Sequence, residues 1–213
     1  MLEIVVVVAV VLALLVFVAC HRKDRARDFE AAGPSLGMQF QDALPAGAEA
    51  AIRSMPSVAR RTRNFFPRVL ANPEAIVFDW TWQDDRLKDR NRATQTVVAI
   101  RRPETRLPRF LLAEKAVLGR EDARAAGDEV TFVTPARWLD RYALHGADAE
   151  GLRAAFPDEA REALTLPPGL RVEGADDWVI VYRPEGELSP TDFARALEDA
   201  RAWVDTWAAA AAD

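Results

Sequence analysis

The sequence has few of the side chains that most often carry catalytic or metal chemistry. Its single cysteine, Cys20, excludes an internal disulfide framework, a cysteine-based zinc site and an iron–sulfur cluster. Its two histidines, His21 and His145, are too few for a multi-histidine metal centre. The composition therefore predicts a protein with no metal site and no cofactor.

The motifs of common nucleotide-binding and hydrolytic enzymes are also missing. The chain has no Gly-x-x-x-x-Gly-Lys-Ser/Thr loop, no Gly-x-Gly-x-x-Gly fingerprint and no Gly-x-Ser-x-Gly elbow. His145 follows a short apolar segment, which is typical of a structural histidine. The carboxylate pairs Asp84–Asp85 and Asp176–Asp177 fall in predicted hairpin turns, where turn geometry alone favours aspartate. No catalytic residue is assigned, and a non-enzymatic role is favoured.

One long hydrophobic run is present, and it stands at the start of the chain. Ile4–Cys20 is an unbroken apolar stretch of 17 residues, close to the minimum for a transmembrane helix, roughly 17–25 residues. A cleaved secretory signal or a lipoprotein signal needs basic residues before such a run, and none precedes this one. We therefore predict a permanent transmembrane anchor over residues 2–20.

Positive charge follows the apolar run. Arg22, Lys23, Arg25 and Arg27 come directly after it, so the positive-inside rule predicts a single-pass protein of the inner cell membrane with its soluble part in the cytoplasm. The alternative is that the soluble part lies on the exported face. These four side chains are candidate contacts to the membrane surface, which makes the lipid bilayer the predicted partner.

Charge is divided along the rest of the chain. Residues 21–70 hold nine Lys/Arg and five Asp/Glu, whereas residues 71–213 hold nineteen and twenty-seven. The basic part is therefore next to the predicted anchor, and the body beyond it is acidic. An acidic body is unsuited to the phosphate backbone, so no nucleic-acid partner is expected.

Turn-forming residues and composition divide the soluble part. Residues 21–48 are predicted to be a basic juxtamembrane segment and linker, residues 49–208 a single α+β domain, and residues 209–213 a frayed tail. Within the domain, Ser54–Pro67 combines arginines with the pair Phe65–Phe66. This segment is either an interfacial basic-aromatic patch or, as we prefer, a loop or helix with solvated arginines and both phenylalanines in the core.

Alternating hydrophobicity predicts the sheet. In Ala75–Trp82, Ile76, Phe78 and Trp80 share one face and Asp79 the other, which indicates a half-buried strand. Similar patterns and turn signals predict further strands over 94–102, 109–114, 129–134 and 141–145, and a hairpin over 169–183.

Helical periodicity is clearest at the C-terminus. Ser189 is a predicted cap, Pro190 occupies the first turn, and apolar residues then recur at helical spacing from Phe193 to Trp207. Strands followed by helices predict an α+β fold, with a mostly antiparallel sheet packed with this long C-terminal amphipathic helix after the N-terminal transmembrane helix.

A set of short motifs carries a family resemblance. They are Gly37-Met38-Gln39-Phe40, Phe78-Asp79-Trp80-Thr81-Trp82, Thr96-Val97-Val98, Leu107-Pro108-Arg109-Phe110, Arg141-Tyr142-Ala143-Leu144 and Arg171-Val172-Glu173-Gly174. On these motifs, residues 37–183 resemble a diffuse group of uncharacterised bacterial proteins with a single N-terminal membrane span and a soluble α+β domain. The resemblance implies architecture and brings no activity with it.

Two classes of function are compatible with these features. The first is a non-enzymatic protein-interaction or scaffolding module at the membrane face, because an anchor and a compact domain are present without a reactive constellation. The alternative is a sensor or enzyme that binds lipid or another small ligand at a site without a known motif, which requires a deep pocket with converging polar groups.

Overall fold

The computed structural model describes residues 24–83, 92–133 and 136–210. Their strands form one antiparallel sheet of eight strands in the order β1-β2-β3-β4-β8-β7-β5-β6. In chain order the strands are β1 (Gln39–Gln41), β2 (Arg63–Ala71), β3 (Ala75–Gln83), β4 (Arg92–Arg101), β5 (Leu107–Glu114), β6 (Tyr142–Gly146), β7 (Arg171–Asp176) and β8 (Trp178–Tyr182).

Helices cover both faces of this sheet. They are α1 (residues 24–32), α2 (Ala46–Ser54), α3 (Pro56–Ala59), α4 (Arg120–Ala126), α5 (Ala136–Arg141), α6 (Ala149–Ala155), α7 (Asp158–Ala163) and α8 (Phe193–Ala210). The predicted span over residues 2–20 lies outside the described residues. None of the helices described is both long and apolar enough to cross a membrane.

The α+β class, the antiparallel sheet and the long C-terminal helix are confirmed. One core lies between the sheet and α1, α6, α7 and α8, and a second lies between the sheet and α2 and α3. Neighbouring residues of β3 point to opposite cores, Val77 to the first and Phe78 to the second. The sheet is therefore the middle layer of three.

The prediction of a half-buried β3 is wrong, because helices cover the second face as well. Every residue of β3 before Gln83 is buried, and Asp79 has no exposed surface. Alternation along a strand distinguishes its two faces, but it does not show whether a polar face meets water or another polar group.

The structure has a strand where the sequence favoured a loop or helix. β2 pairs with β3, and the register shifts between Phe65 and Arg68. Pro67 lies in this irregular stretch, where its missing N–H costs no ladder hydrogen bond. Phe66 enters the core, whereas Phe65 is 45% exposed, so the preferred interpretation holds for one of the two rings.

The strand predicted over residues 129–134 is wrong for the part described. Only an isolated bridge joins Glu129 to His145. Val130 packs into the first core, and Phe132 leaves the sheet to meet Trp138, with ring centroids 5.8 Å apart. Packing of these two side chains replaces the strand ladder.

Residues 24–48 belong to the folded body. Phe29, Met38 and Leu44 are buried in the cores. At the other end of the chain, Ser189 makes no cap hydrogen bond to the backbone. Its hydroxyl pairs instead with that of Thr191 at 2.9 Å, so the predicted side-chain cap is wrong.

The strand register gives the sheet two distinct ends. β2 begins and β3 ends at one of them, where Arg63 pairs with Gln83, and we call this the proximal end. β8 also ends towards it and β7 begins there, with Tyr182 opposite Arg171. The distal end carries the turn between β2 and β3 and the turn that contains Arg106.

Candidate functional site

A groove lies between α8 and the sheet, near the proximal end. Its volume is about 900 Å³, within the usual range for ligand sites in proteins, roughly 300–1,000 Å³. Val98 of β4 and Val181 of β8 line it, and both belong to the first core. The floor of the groove is therefore apolar.

The two walls of the groove are apolar as well. One flank of α8 contributes Ala196, Ala200 and Trp203, which helical spacing places on the same side. The segment between α7 and β7 supplies the opposite wall, including the buried side chains of Leu164 and Leu166. An interior of this kind accommodates an apolar group such as a hydrocarbon chain.

Trp203 lines the groove and carries one buried polar atom. Its indole Nε1 is buried, and no acceptor for it exists in the described part of the chain. A buried donor left unpaired carries a cost of about 1–3 kcal/mol. Since this atom has almost no exposed surface, it is not itself presented to the groove.

Charged side chains surround the groove. Arg183, Glu187, Asp192, Arg195 and Asp199 line it and are all exposed. An apolar interior with a charged rim is suited to an amphipathic molecule, whose apolar part is buried while its polar part stays in water.

Arg25 of α1 binds the buried carboxylate of Asp79. Its Nε donates to Oδ2 at 2.7 Å and its Nη2 to Oδ1 at 2.9 Å. Nη2 also donates to Thr96 Oγ1 at 3.0 Å, and Nη1 to the Leu188 carbonyl at 3.1 Å. Burial lowers the pKa of Arg25, but the hydrogen bond and charge of Asp79 outweigh it, so the pKa is raised overall.

Arg68 of β2 shares the same carboxylate. Its Nε donates to Asp79 Oδ2 at 2.7 Å, and the Thr96 hydroxyl donates to Oδ1 at 2.9 Å. The Leu188 N–H in turn donates to Thr96 Oγ1 at 3.0 Å. One carboxylate therefore joins α1, β2 and β4 and, through Thr96, the segment before α8.

This cluster borders the groove. Thr96, Glu187 and Leu188 line the groove, and each of them also contacts Arg25, Glu187 through an ion pair of 3.3 Å. Arg25 follows Cys20 by five residues, a length of chain that spans at most about 18 Å. The groove rim is therefore tied directly to the segment that follows the apolar run.

A second buried polar network lies on the opposite face of the sheet. Glu173 of β7 has no exposed surface. It accepts hydrogen bonds from the Tyr182 hydroxyl and, at 2.8 Å, from the Ser57 N–H. Burial raises the pKa of Glu173 despite these two donors, and burial beside Glu173 also raises the pKa of Tyr182. Tyr182 also lines the groove, but its ring packs in the second core and its hydroxyl is bonded to Glu173, so we interpret the network as structural.

We expect the free energy of unfolding of Glu173→Gln to increase relative to that of the wild type as the pH rises. The ordinary pKa of the side chain is 4.5, so the unfolded chain loses this proton at a lower pH than the folded protein does. The free energy of unfolding of the wild type therefore decreases as the pH rises from the pKa of the unfolded chain to that of the folded protein. Glutamine does not titrate, so the variant lacks this decrease. Denaturant unfolding of the full chain across this pH interval measures the difference, with the exposed Glu162→Gln as control. A constant difference between Glu173→Gln and wild type contradicts the prediction.

The structure separates the four basic residues predicted to contact the membrane. Arg22 and Lys23 lie outside the described residues. Arg27 is exposed, as a surface contact requires. Arg25 instead points inward, with 12% of its side chain exposed, because Asp79 offers it a buried partner. Arg25 thus connects α1 to the sheet.

The other residues considered from the sequence form no site among those that the structure describes. His145 Nδ1 hydrogen-bonds the Gly127 carbonyl at 3.1 Å, a structural contact. Asp177 pairs with Arg101 at 2.8 Å in the turn before β8, and Asp84–Asp85 lies outside the described residues. Within the described ranges, no three His, Cys, Asp or Glu side chains are grouped to hold a metal ion.

Sequence reasoning missed the residues that build the groove and its border. Asp79 carried a signal, since it is the one charged residue in a strand whose other residues are apolar, aromatic, threonine or glutamine. Thr96 and Trp203 carried none, because their importance depends on Arg25 and on the segment between α7 and β7. Both of these are remote in the chain.

Comparisons with known proteins point to one fold. No protein-family model matches this chain, and neither does any curated protein. Among solved structures, it is similar to the crystal structure of the mycobacterial trehalose monomycolate transport factor A, TtfA, with a TM-score of 0.53 and 13% sequence identity. The similarity covers 85% of this chain and 93% of that one. At this identity the similarity shows the fold alone.

Proposed function

We propose that this protein is a membrane-anchored lipid-binding protein that holds an acyl chain in the groove beside α8. The observation that carries the proposal is the groove itself, about 900 Å³ in volume, with an apolar floor and apolar walls. Its charged rim is suited to a polar headgroup.

The position of the groove supports a role next to a bilayer. Its border is bonded to Arg25, which is close in sequence to the apolar run of residues 4–20. We propose that residues 2–20 anchor the chain in the inner membrane and that the remainder faces the cytoplasm, as the positive-inside rule predicts. A lipid leaving the bilayer would then have a short path to the groove.

The comparison with TtfA also favours lipid over other ligands. That protein is a trehalose monomycolate transport factor. Of the two functions considered from the sequence, we therefore favour the binding of lipid ahead of scaffolding, and we narrow it here to the transfer of lipid between membrane and protein. This choice corresponds to the lipid-binding alternative and requires no catalytic residue.

Ala196→Trp is expected to reduce lipid binding about tenfold, a loss that needs only about 1.4 kcal/mol. The larger side chain fills the groove from α8. The full chain is reconstituted in nanodiscs that contain a phospholipid with a photoreactive diazirine at the end of one acyl chain. Crosslinked peptides are then located by mass spectrometry, and we expect crosslinks in residues 164–170 and 196–203 of the wild type.

Ala209→Trp is the matched control, because Ala209 is on the same helix but exposed and outside the groove lining. We expect it to leave the crosslink yield unchanged. Crosslinks that avoid both groove walls, or a yield that Ala196→Trp does not change, contradict the proposal.

A further inference from the structure

Residues 183–189, which lead from β8 towards α8, form part of the rim of the groove, and we call them the rim segment. Arg183, Gly186, Glu187 and Leu188 of this segment line the groove. Leu188 is half-buried and packs against the first core, so it lies where the apolar interior meets the rim. A molecule that enters or leaves the groove on this side has to pass the rim segment.

The rim segment is bonded to the sheet through β4. The Thr96 N–H donates to the Gly186 carbonyl at 2.9 Å, and the Glu185 N–H donates to Gln95 Oε1 at 3.1 Å. Glu185 has a φ of 57°, a left-handed conformation that residues with a Cβ rarely adopt. The shape of the segment therefore depends on its bonds to neighbouring elements more than on its own backbone preference.

Arg25 of α1 also holds the rim segment. Its Nη1 donates to the Leu188 carbonyl at 3.1 Å, and its Nε lies 3.3 Å from Glu187 Oε2. The Leu188 N–H donates to Thr96 Oγ1, which accepts a hydrogen bond from Arg25 Nη2 as well. Removal of Arg25 would therefore release the Leu188 carbonyl and the Glu187 carboxylate at the same time.

The same helix holds the start of α8. Phe29 meets Phe193, the first residue of α8, edge-on with ring centroids 4.7 Å apart, and neither side chain has exposed surface. The Arg25 guanidinium lies 5.4 Å from the centroid of the Phe29 ring. The docking of α1 therefore fixes both the rim segment and the adjacent end of α8.

We propose that Arg25 controls the exchange of lipid by holding the rim segment in place beside the groove. The inference rests on the lipid binding proposed above and adds its regulation. Arg25 is not among the described residues that line the groove, so its bonds hold the rim segment whether the groove is filled or empty. Loss of these bonds therefore lowers the barrier to entry and to exit alike and leaves the equilibrium affinity nearly unchanged.

Arg68 provides a matched control for Arg25. The Nε of each arginine binds Asp79 Oδ2 at 2.7 Å, and each side chain is 12% exposed. Among the described residues, neither Arg68 nor Asp79 belongs to the groove lining. Arg25→Gln and Arg68→Gln thus remove the same kind of contact to the carboxylate, whereas Arg25→Gln also removes the contacts to the rim segment.

Stopped-flow fluorescence of the full chain in detergent micelles measures the exchange. The probe is a phosphatidylcholine with pyrene at the end of one acyl chain, and energy transfer from tryptophan to pyrene reports its binding. Mixing with the probe gives the association rate constant, and a chase with excess unlabelled phosphatidylcholine gives the dissociation rate constant. Ala196→Phe fills the groove without adding a tryptophan, so it shows whether the signal comes from the groove.

We expect Arg25→Gln to raise both rate constants about tenfold, the factor that corresponds to about 1.4 kcal/mol, and to leave the dissociation constant nearly unchanged. Arg68→Gln should keep both rate constants at their wild-type values. Glu187→Gln removes one ion pair at a side chain that is 43% exposed and should raise both rate constants roughly two- to fivefold. This mild variant keeps the test decisive if Arg25→Gln does not fold.

Equal rate constants in the two arginine variants overturn the inference, and wild-type rate constants in Glu187→Gln do so where Arg25→Gln does not fold. Faster dissociation matched by weaker binding also overturns it, because Arg25 would then support only the lipid-bound site. These results leave the proposed function intact as long as Ala196→Phe lowers the binding signal. If Ala196→Phe leaves the signal unchanged, lipid does not occupy the groove, and the proposed function fails together with this inference.

Discussion

Replacing Asp79 with asparagine is expected to lower the free energy of unfolding by about 3 kcal/mol, the lower end of the cost of breaking a buried ion pair. Asparagine keeps the shape but not the charge, so Arg25 and Arg68 lose the carboxylate that each approaches to 2.7 Å. Both arginine side chains are 12% exposed, and this partial hydration keeps the cost moderate. Denaturant unfolding of the full chain in detergent micelles, followed by tryptophan fluorescence, measures the loss.

Asp176→Asn provides the matched control. Asp176 pairs with Arg106 at 3.3 Å, but both side chains are largely exposed, 62% and 85%. An exposed pair contributes about 0–1 kcal/mol, and asparagine tolerates the positive φ of 55° at this position. Similar losses in the two variants would show that the Asp79 cluster is not the link we describe. Hydrogen exchange adds a local test, since amides of α1 should exchange faster in Asp79→Asn.

Phe156→Ala is expected to cost about 4 kcal/mol, as large-to-small changes at fully buried aromatic positions do. Phe156 directly follows α6 and has no exposed surface. Its ring stacks on Trp207 of α8 at 4.9 Å and meets Phe110 of β5 edge-on at 5.1 Å. The substitution therefore opens a cavity between the end of α6, β5 and α8. The same unfolding measurement applies.

Phe65→Ala makes the same chemical change at a ring that is 45% exposed. We expect it to cost less than about 1 kcal/mol, the usual result for surface substitutions away from buried features. If the two phenylalanine variants lose the same stability, the packing assigned to Phe156 is wrong.

The elements predicted well are those whose pattern is local. The alternation in Ala75–Trp82 predicts β3, the polar turn at residues 174–177 predicts the hairpin of β7 and β8, and the spacing from Phe193 to Trp207 predicts α8. Period and turn chemistry are properties of adjacent residues, so they can be read without knowing what packs on them. β2 was missed because Pro67 and the arginines of this strand interrupt the alternation of hydrophobic residues, where the register between β2 and β3 shifts.

The candidate groove could not be predicted from the sequence, for a different reason. Its walls come from α8 and from the segment between α7 and β7, and its floor comes from β4 and β8. These elements are brought together only by strand order, since β8 lies beside β4 instead of β5. The periodicity of adjacent residues does not show that β4 and β8 are neighbours, and a small residue such as Ala196 does not indicate a groove.

By itself, the sequence determined the α+β class, the antiparallel sheet, its C-terminal helix and the scarcity of metal-binding and nucleophilic side chains, because these follow from composition and short-range periodicity. The tertiary structure alone decided what Asp79 and Arg25 do. Alternation predicted that Asp79 faces water, and charge predicted that Arg25 faces lipid. Each instead satisfies the other in the interior, because a buried charge is stable only beside a partner, and that partner is 54 residues away in the chain.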